Sequence, residues 1–230
     1  MIPKTIHYCW FGHGKLNEKA KKCISSWKKY CPDYQIIEWN EDNYDVNQNE
    51  YTSYLYRERK FAFLSDYVRL QKVYEHGGLY FDVDVEVIKS FDDLLNESAF
   101  FGFETDEYIN TGLGFGAEKG NPIVRKMLDE YIPFLDGRHG YKGCPLLNTK
   151  ALESFGLIRN GNMQRLQNGT VFPIDYFNPY DDPTGVLNVT SNTYSIHWYA
   201  KSWMKKSKVI RSILTKPLHR MIKKRKLADK

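Results

Sequence analysis

The sequence lacks any run of about 18 apolar residues, so no helix of ordinary length can span a bilayer. Cysteine is scarce: Cys9, Cys23, Cys31 and Cys144 are the four in 230 residues. No two stand in C-x-x-C spacing, which argues against a structural zinc site. Met1-Ile2-Pro3-Lys4 leads straight into a strand-like segment, with no basic and apolar leader in front of it. The expectation is a cytoplasmic chain with reduced thiols, in which the three Asn-x-Ser/Thr triplets carry no glycan. There is no internal repeat and no low-complexity linker, so neither a solenoid nor a string of modules is expected.

What is present is a folding composition: 42% hydrophobic, 15% aromatic, 17 tyrosines. A chain of this length suits one α/β domain with a small appendage and can bury a sizeable core. Charge is divided unevenly. Residues 201–230 hold 12 Lys/Arg against one acidic residue, a net +11, which leaves the rest of the chain at −6 within the overall +5. In that tail Val209, Ile210, Ile213, Leu214, Leu218, Met221 and Ile222 recur at helical spacing among the basic residues. A basic amphipathic helix of this kind reads as an anchor on an anionic membrane surface. The competing reading is a last helix that packs its stripe on the domain. Pro217 is expected to kink or restart the helix. An acidic body, and a tail without aromatics after Trp203, speak against a nucleic-acid partner.

The most informative stretch is Gly77-Gly78-Leu79-Tyr80-Phe81-Asp82-Val83-Asp84-Val85-Glu86. On a strand, alternate residues share a face, so Asp82 and Asp84 are expected to point the same way. Two like charges held that close need a cation between them or a shared proton. Hard divalent ions take oxygen ligands and often sit between carboxylates and phosphates. Upstream, residues 60–76 read as a helix that Gly77 stops in the left-handed conformation. Asp66 and Arg69 share a face of that helix, which by itself is compatible with a weak surface ion pair.

Ser65-Asp66-x-x-Arg69 followed by Gly77-Gly78-x-Tyr80-x-Asp82-x-Asp84 resembles the pattern of DXD-containing sugar transferases. The family is glycosyltransferase family 32, with bacterial capsule and lipopolysaccharide transferases and yeast mannosyltransferases; glucosylating clostridial toxins have a similar core. Ile2-Pro3-Lys4-Thr5-Ile6-His7-Tyr8-Cys9-Trp10-Phe11-Gly12 fits its opening strand, and His197-Trp198-x-x-x-Ser202-Trp203 its closing motif. The resemblance spans the chain to about Trp203. It divides the chain into a transferase domain over 1–203 and a basic tail over 204–230.

The resemblance implies the GT-A fold: one Rossmann-like nucleotide-sugar domain with a mostly parallel sheet, here followed by the basic amphipathic helix. It implies a retaining, metal-dependent hexosyltransferase. The donor is a nucleotide diphosphate sugar, a UDP-hexose or UDP-N-acetylhexosamine in first place and GDP-mannose as the alternative. The acceptor is an oligosaccharide or lipid-linked intermediate of surface polysaccharide, at the cytoplasmic face of the membrane. Mn²⁺ or Mg²⁺ would be held by Asp82 and Asp84, with His197 as third ligand unless it is a strand-end histidine bonded to backbone. Arg69 and Asp66 would bind donor-sugar hydroxyls and phosphate, and Tyr80 would buttress them. Asn110 would stand beside the reacting sugar, Trp10 would stack on the base with His7 nearby, and Ser202 and Trp203 would close over the diphosphate. A nucleotide-sugar-binding protein without turnover is the rival from another class, and a metal-dependent phosphohydrolase a second.

Along the chain, strands are expected at 5–10, 34–39, 79–85, 100–103, 112–117 and 194–199. Helices are expected at 17–30, 60–76, 121–135 and 145–155. Residues 40–59 and 160–190 read as irregular with short elements. Alternation of this kind argues for a three-layer α/β sandwich.

Overall fold

Asn17 closes the first helix as an N-cap residue should: its side chain accepts from the Ala20 amide at 2.9 Å. Asn49 and Asn121 do the same for two later helices. Between the helices, short apolar segments with aromatic and β-branched residues pair into strands. The computed structural model describes residues 1–201 and 206–228. In chain order the elements are β1 Thr5–Cys9, α1 Glu18–Tyr30, β2 Gln35–Trp39, α2 Glu50–Arg57, α3 Phe61–His76, β3 Gly78–Tyr80, β4 Val85–Val87, β5 Ala99–Gly102, β6 Phe115–Ala117, α4 Pro122–Asp129 and α5 Cys144–Glu153. They continue as β7 Gln164–Leu166, β8 Gly169–Phe172, α6 Ile174–Phe177, β9 Tyr180–Asp181, β10 Val186–Leu187, β11 Ser195–His197 and α7 Lys206–Ala228.

Seven strands form the central sheet in the order β2-β1-β3-β6-β5-β8-β7. Five run the same way, while β6 inside the sheet and β7 at its edge are reversed. The mostly parallel α/β sheet expected from the sequence is therefore present. One face is covered by α3, α4 and α5 through Val68, Val73, Val124, Met127, Ala151 and Leu152. On the other, Trp27 of α1 packs with Phe81, Phe91, Phe100 and Phe177. These are the three layers expected. A small antiparallel pair, β4 with β11, lies outside the main sheet.

Four expectations need correction. The strand read over 79–85 stops at Tyr80, and Phe81–Asp84 is a turn before β4. Strand 112–117 is shorter, because Thr111–Leu113 forms a 3₁₀ turn. The helix read over 121–135 ends at Asp129, since Pro133 supplies no amide and a 3₁₀ turn at Ile132–Phe134 follows. Gly77 has φ +71° but ψ −176°, so it is extended rather than left-handed helical. Its neighbour Gly78, at φ +105°, brings the chain so close to β1 that a Cβ would stand 2.7 Å from the Thr5 carbonyl.

The tail forms α7, and its helical assignment runs through Pro217 rather than restarting there. Lys216 and Arg220 of this helix donate hydrogen bonds to the body. Lys216 Nζ bonds the Tyr180 hydroxyl at 2.6 Å, and Arg220 donates to the carbonyls of Thr184 and Gly185. Ile210, Ile213, Leu214, Leu218 and Met221 all remain more than half exposed, Leu214 at 74%.

Candidate active site

The turn after β3 aims the two carboxylates. The Asp82 carbonyl accepts from Val85 N at 3.0 Å, closing the turn at the start of β4. Pairing of β4 with β11 sets His197 opposite Val85, and Trp198 N donates to the Asp84 carbonyl at 3.0 Å. So the far end of the chain is delivered to the turn by strand register. Oxygens of Asp82 and Asp84 and a ring nitrogen of His197 lie within 4.8 Å of one another. Two carboxylates and one imidazole fit a hard or borderline divalent ion. The His197 Nδ1 is buried without a hydrogen-bond partner among the described residues.

The carboxylates have different neighbours. Asp82 Oδ1 accepts from Arg69 Nη2 at 3.0 Å and from the Tyr80 hydroxyl at 2.9 Å. Arg69, 3% exposed, also pairs with Asp66 at 2.9 Å and lies over the Tyr80 ring, 4.8 Å from its centroid. The Asp66–Arg69 pair is therefore buried, not the surface pair its spacing alone allows. Burial pushes the Asp66 carboxyl up to about 6, against the pull of Arg69. Burial and the adjacent Asp84 charge also raise Asp82, with Arg69 opposing. For Asp84 burial acts upward too. The His197 ring, by charge and by a 3.2 Å contact, and the Ala200 amide at 2.6 Å overrule it and take Asp84 down to about 2. His197 is driven down by burial but ends raised, because Asp84 faces it.

Gly112 is the close-approach residue of the site. A Cβ there would overlap Asp82 Oδ2 and stand 3.0 Å from Arg69 Nη1. Asn110 caps this same 3₁₀ turn, its Oδ1 accepting from Gly112 N at 2.7 Å. Three residues that the sequence did not single out for the site join here. The Cys144 thiol at the start of α5 donates to Asn110 Oδ1 at 3.3 Å and accepts from Arg69 at 3.8 Å. Glu104 Oε1 accepts from Asn110 Nδ2 at 3.0 Å and from the Tyr199 hydroxyl at 3.2 Å. Thus Glu104 ties the Asn110 turn to the segment after β11. None of these links has a local sequence pattern; only the Tyr199 position, two residues past His197, hinted at it.

Beside Asp84 lies a cavity of about 360 Å³, walled by Lys19 and Lys22 of α1, Trp198, Lys201 and Lys216. Lys201 pairs with Asp182 at 2.5 Å, and Lys216 reaches the same carboxyl at 3.5 Å. The helix α7 is thereby coupled to the segment that caps Asp84.

The remaining sequence candidates divide. Trp10, half-buried at the end of β1, packs on the cluster around Trp27 and donates its indole N–H to the Gly14 carbonyl. His7, expected near the base, has both ring nitrogens engaged inside the protein. It is fully buried, Nε2 meets the Gly77 carbonyl at 2.9 Å, and Nδ1 accepts from the Trp39 indole at 3.1 Å. Burial takes its pKa down to about 4, which leaves a neutral ring locked into β1. Ser202 and Trp203 lie outside the described residues.

Residues 17–101 match the family described as glycosyltransferase sugar-binding region containing DXD motif. Inositol phosphoceramide mannosyltransferase 3 of Schizosaccharomyces pombe is 28% identical over 150 residues, 60% of this chain and 39% of that protein. Inositol phosphoceramide mannosyltransferase 1 of the same organism is 26% identical over 144 residues, 58% of this chain and 44% of that one. The chain thus spans less than half the length of these relatives. Among solved structures, the PaToxG glycosyltransferase matches with TM-score 0.53 and 23% identity, covering 66% of this chain and 68% of its own. That likeness shows the fold, and it agrees with the GT-A expectation. Residues 17–101 are thus similar to the DXD-containing sugar-binding region of glycosyltransferases, and the chain shares its fold with the PaToxG glycosyltransferase.

Proposed function

We propose that this protein is a metal-dependent retaining glycosyltransferase, taking a hexose or N-acetylhexosamine from a nucleotide diphosphate sugar to a saccharide acceptor. The observation that carries this reading is the convergence of Asp82, Asp84 and His197 beside the buried Arg69–Asp66 pair. Asp82 and Asp84 offer oxygens and His197 a nitrogen to Mn²⁺ or Mg²⁺. Such an ion, when bound, supplies neutralisation of the charge that develops on the leaving diphosphate. Arg69 adds fixed positive charge on the sugar side, with Asp66 and Tyr80 holding its guanidinium in place. Asn110 borders the reacting sugar. Trp10 stacks on the base, and Ser202 and Trp203 close over the diphosphate.

No side chain is assigned as catalytic base. The acceptor oxygen bonds to the anomeric carbon as the carbon–phosphate oxygen bond breaks, and the acceptor proton passes to the departing phosphate oxygen. A UDP-sugar is the favoured donor. GDP-mannose is the second reading, supported by the mannosyltransferase names of two relatives. The same names specify a lipid, which supports a lipid-linked acceptor. In this reading residues 204–230 rest on the anionic cytoplasmic face of a membrane. Support comes from the exposed stripe of α7 and its basic flanks. Vesicle co-sedimentation of Leu214→Asp tests it, with binding equal to that of the unaltered protein counting against it.

The deciding experiment is a screen of UDP-, GDP-, dTDP- and CMP-sugars with Mn²⁺. Slow nucleotide release from one donor, abolished by EDTA, establishes the transferase and its sugar. Metal-dependent nucleotide binding without release from any donor favours the non-catalytic reading.

A further inference from the structure

A groove of about 880 Å³ opens on the other side of Tyr199 from the Asp84 cavity, between the 104–106 segment, the β9–β10 hairpin and α7. Its volume is that of an ordinary small-ligand site, which runs to roughly 300–1,000 Å³. Glu104 and Tyr199, which line both its inner end and the Asn110 turn, connect it to the carboxylate site. We infer that this groove is the acceptor site, and that it takes an uncharged sugar ring.

Three observations carry the assignment, which rests on the glycosyl-transfer reading for its role but not for its ligand class. First, the wall is polar and carboxylate-rich. Glu104, Asp106, Asp175, Asp181 and Asp182 line it; among the described residues Arg220 is the cation of the lining, and Lys201 and Lys216 pair with Asp182. Carboxylates accept from sugar hydroxyls and repel uronate or phosphate. Second, Tyr180 and Tyr199 supply ring faces of the kind sugar C–H groups pack against. Third, Asn178 lines the groove and is 5% exposed. Its Nδ2 donates to the Glu104 carbonyl at 3.0 Å, yet its Oδ1 has no partner among the described residues. A buried acceptor left unpaired is costly, and a small turn of the Asn178 amide towards the groove would let a ligand hydroxyl satisfy it.

Arg220 holds the outer wall in shape by gripping the Thr184 and Gly185 carbonyls across the β9–β10 turn. The groove therefore depends on α7 being docked through the polar contacts of Lys216 and Arg220.

Saturation-transfer NMR on the full chain tests this with methyl α-mannoside, methyl β-glucoside, methyl β-galactoside and methyl β-glucuronide as probes. Val186 sits on the rim at 48% exposure, so Val186→Trp fills the groove without entering the core. The expected result is ring-proton saturation of at least one neutral glycoside, a fall of at least fivefold in Val186→Trp, and no signal from the glucuronide. Thermal midpoints of the two proteins, measured alongside, are expected to agree within a degree or two. Equal signals from both folded proteins, a glucuronide signal as strong as the neutral ones, or no signal from any neutral glycoside overturns the assignment. The nucleotide-release screen is scored separately. Groove-dependent sugar binding without donor release would sink the transferase reading alone, and release without groove-dependent sugar binding would sink the groove alone.

Discussion

Asp82 and Asp84 are two residues apart, yet they belong to differently built halves of one site. Asp82 is held by Arg69 and Tyr80, which share its stretch of chain from α3 through β3. Asp84 is held by His197 and Ala200, more than a hundred residues away. The first half is a buried charge cluster made within one helix–turn–strand unit. The second exists only after β11 pairs with β4 and the following segment folds back. A short local unit can set the position of one carboxylate, whereas the other waits on long-range assembly.

The difference can be broken from either end. The largest effect is expected from the carboxylates themselves. Asp84→Ala and Asp82→Ala should each reduce donor turnover at least 1,000-fold, about 4 kcal/mol of transition-state stabilisation. Asp82→Ala should also lower the denaturation midpoint by stripping Arg69 of one of its two carboxylate partners, and Asp84→Ala by taking away the partner of His197 and of the Ala200 amide. Nucleotide-release rates and chemical denaturation read the two quantities, and an unchanged midpoint in either variant would count against the contact it removes.

Next comes Arg69→Met, which strands Asp66 and Asp82 together and should cost roughly 3–4 kcal/mol of folding stability. His197→Ala, on the late-assembling side, should cost about half that. A smaller effect is expected at Gly112. The Cβ of Gly112→Ala displaces the Asp82 carboxylate, so turnover should fall up to about 100-fold, or ~2.7 kcal/mol, with little change in the midpoint.

The smallest effect probes the base on which the Asp82 half stands. His7 titrates near 6.5 when unfolded and at about 4 in the native chain. The unfolded state therefore takes up the proton first, and stability is lost as pH falls from 6.5 towards 4. Between pH 7 and pH 5 that linkage contributes about 2 kcal/mol. His7→Gln, less stable at pH 7, should show a shallower decline over the same interval, and an unchanged slope would contradict the assignment.

Legibility in the sequence followed the same divide. Asp82 was readable from its alternation with Asp84, whereas Asp66, Arg69 and Tyr80 entered the site through the family pattern, which places all of them within 17 residues; spacing alone allowed only a surface pair. The α/β alternation was readable because capping asparagines and apolar periods are local. The turn at Phe81–Asp84 was hidden, because alternation continues through it and one strand looks like two with a corner between them. His7 reads as a motif residue until its burial is known. Glu104, Cys144 and Asn178 could not be read at all. Each matters through a partner brought in by tertiary packing: Asn110 and Tyr199 for Glu104, Arg69 for Cys144, the groove for Asn178.

Asp182, shared by Lys201 and Lys216, gives the tail a meaning for anyone handling this protein. If α7 does rest on a membrane, cutting the chain after residue 205, which keeps Ser202 and Trp203, is the obvious route to a sample that stays out of detergent. It would also unpin the residue next to Ala200, whose amide holds Asp84. Such a trimmed sample would be well behaved and sluggish, and its sluggishness would invite the wrong donor to be blamed. Adding back residues 206–228 as a separate peptide would expose the error, because turnover restored in trans can only come from the clamp.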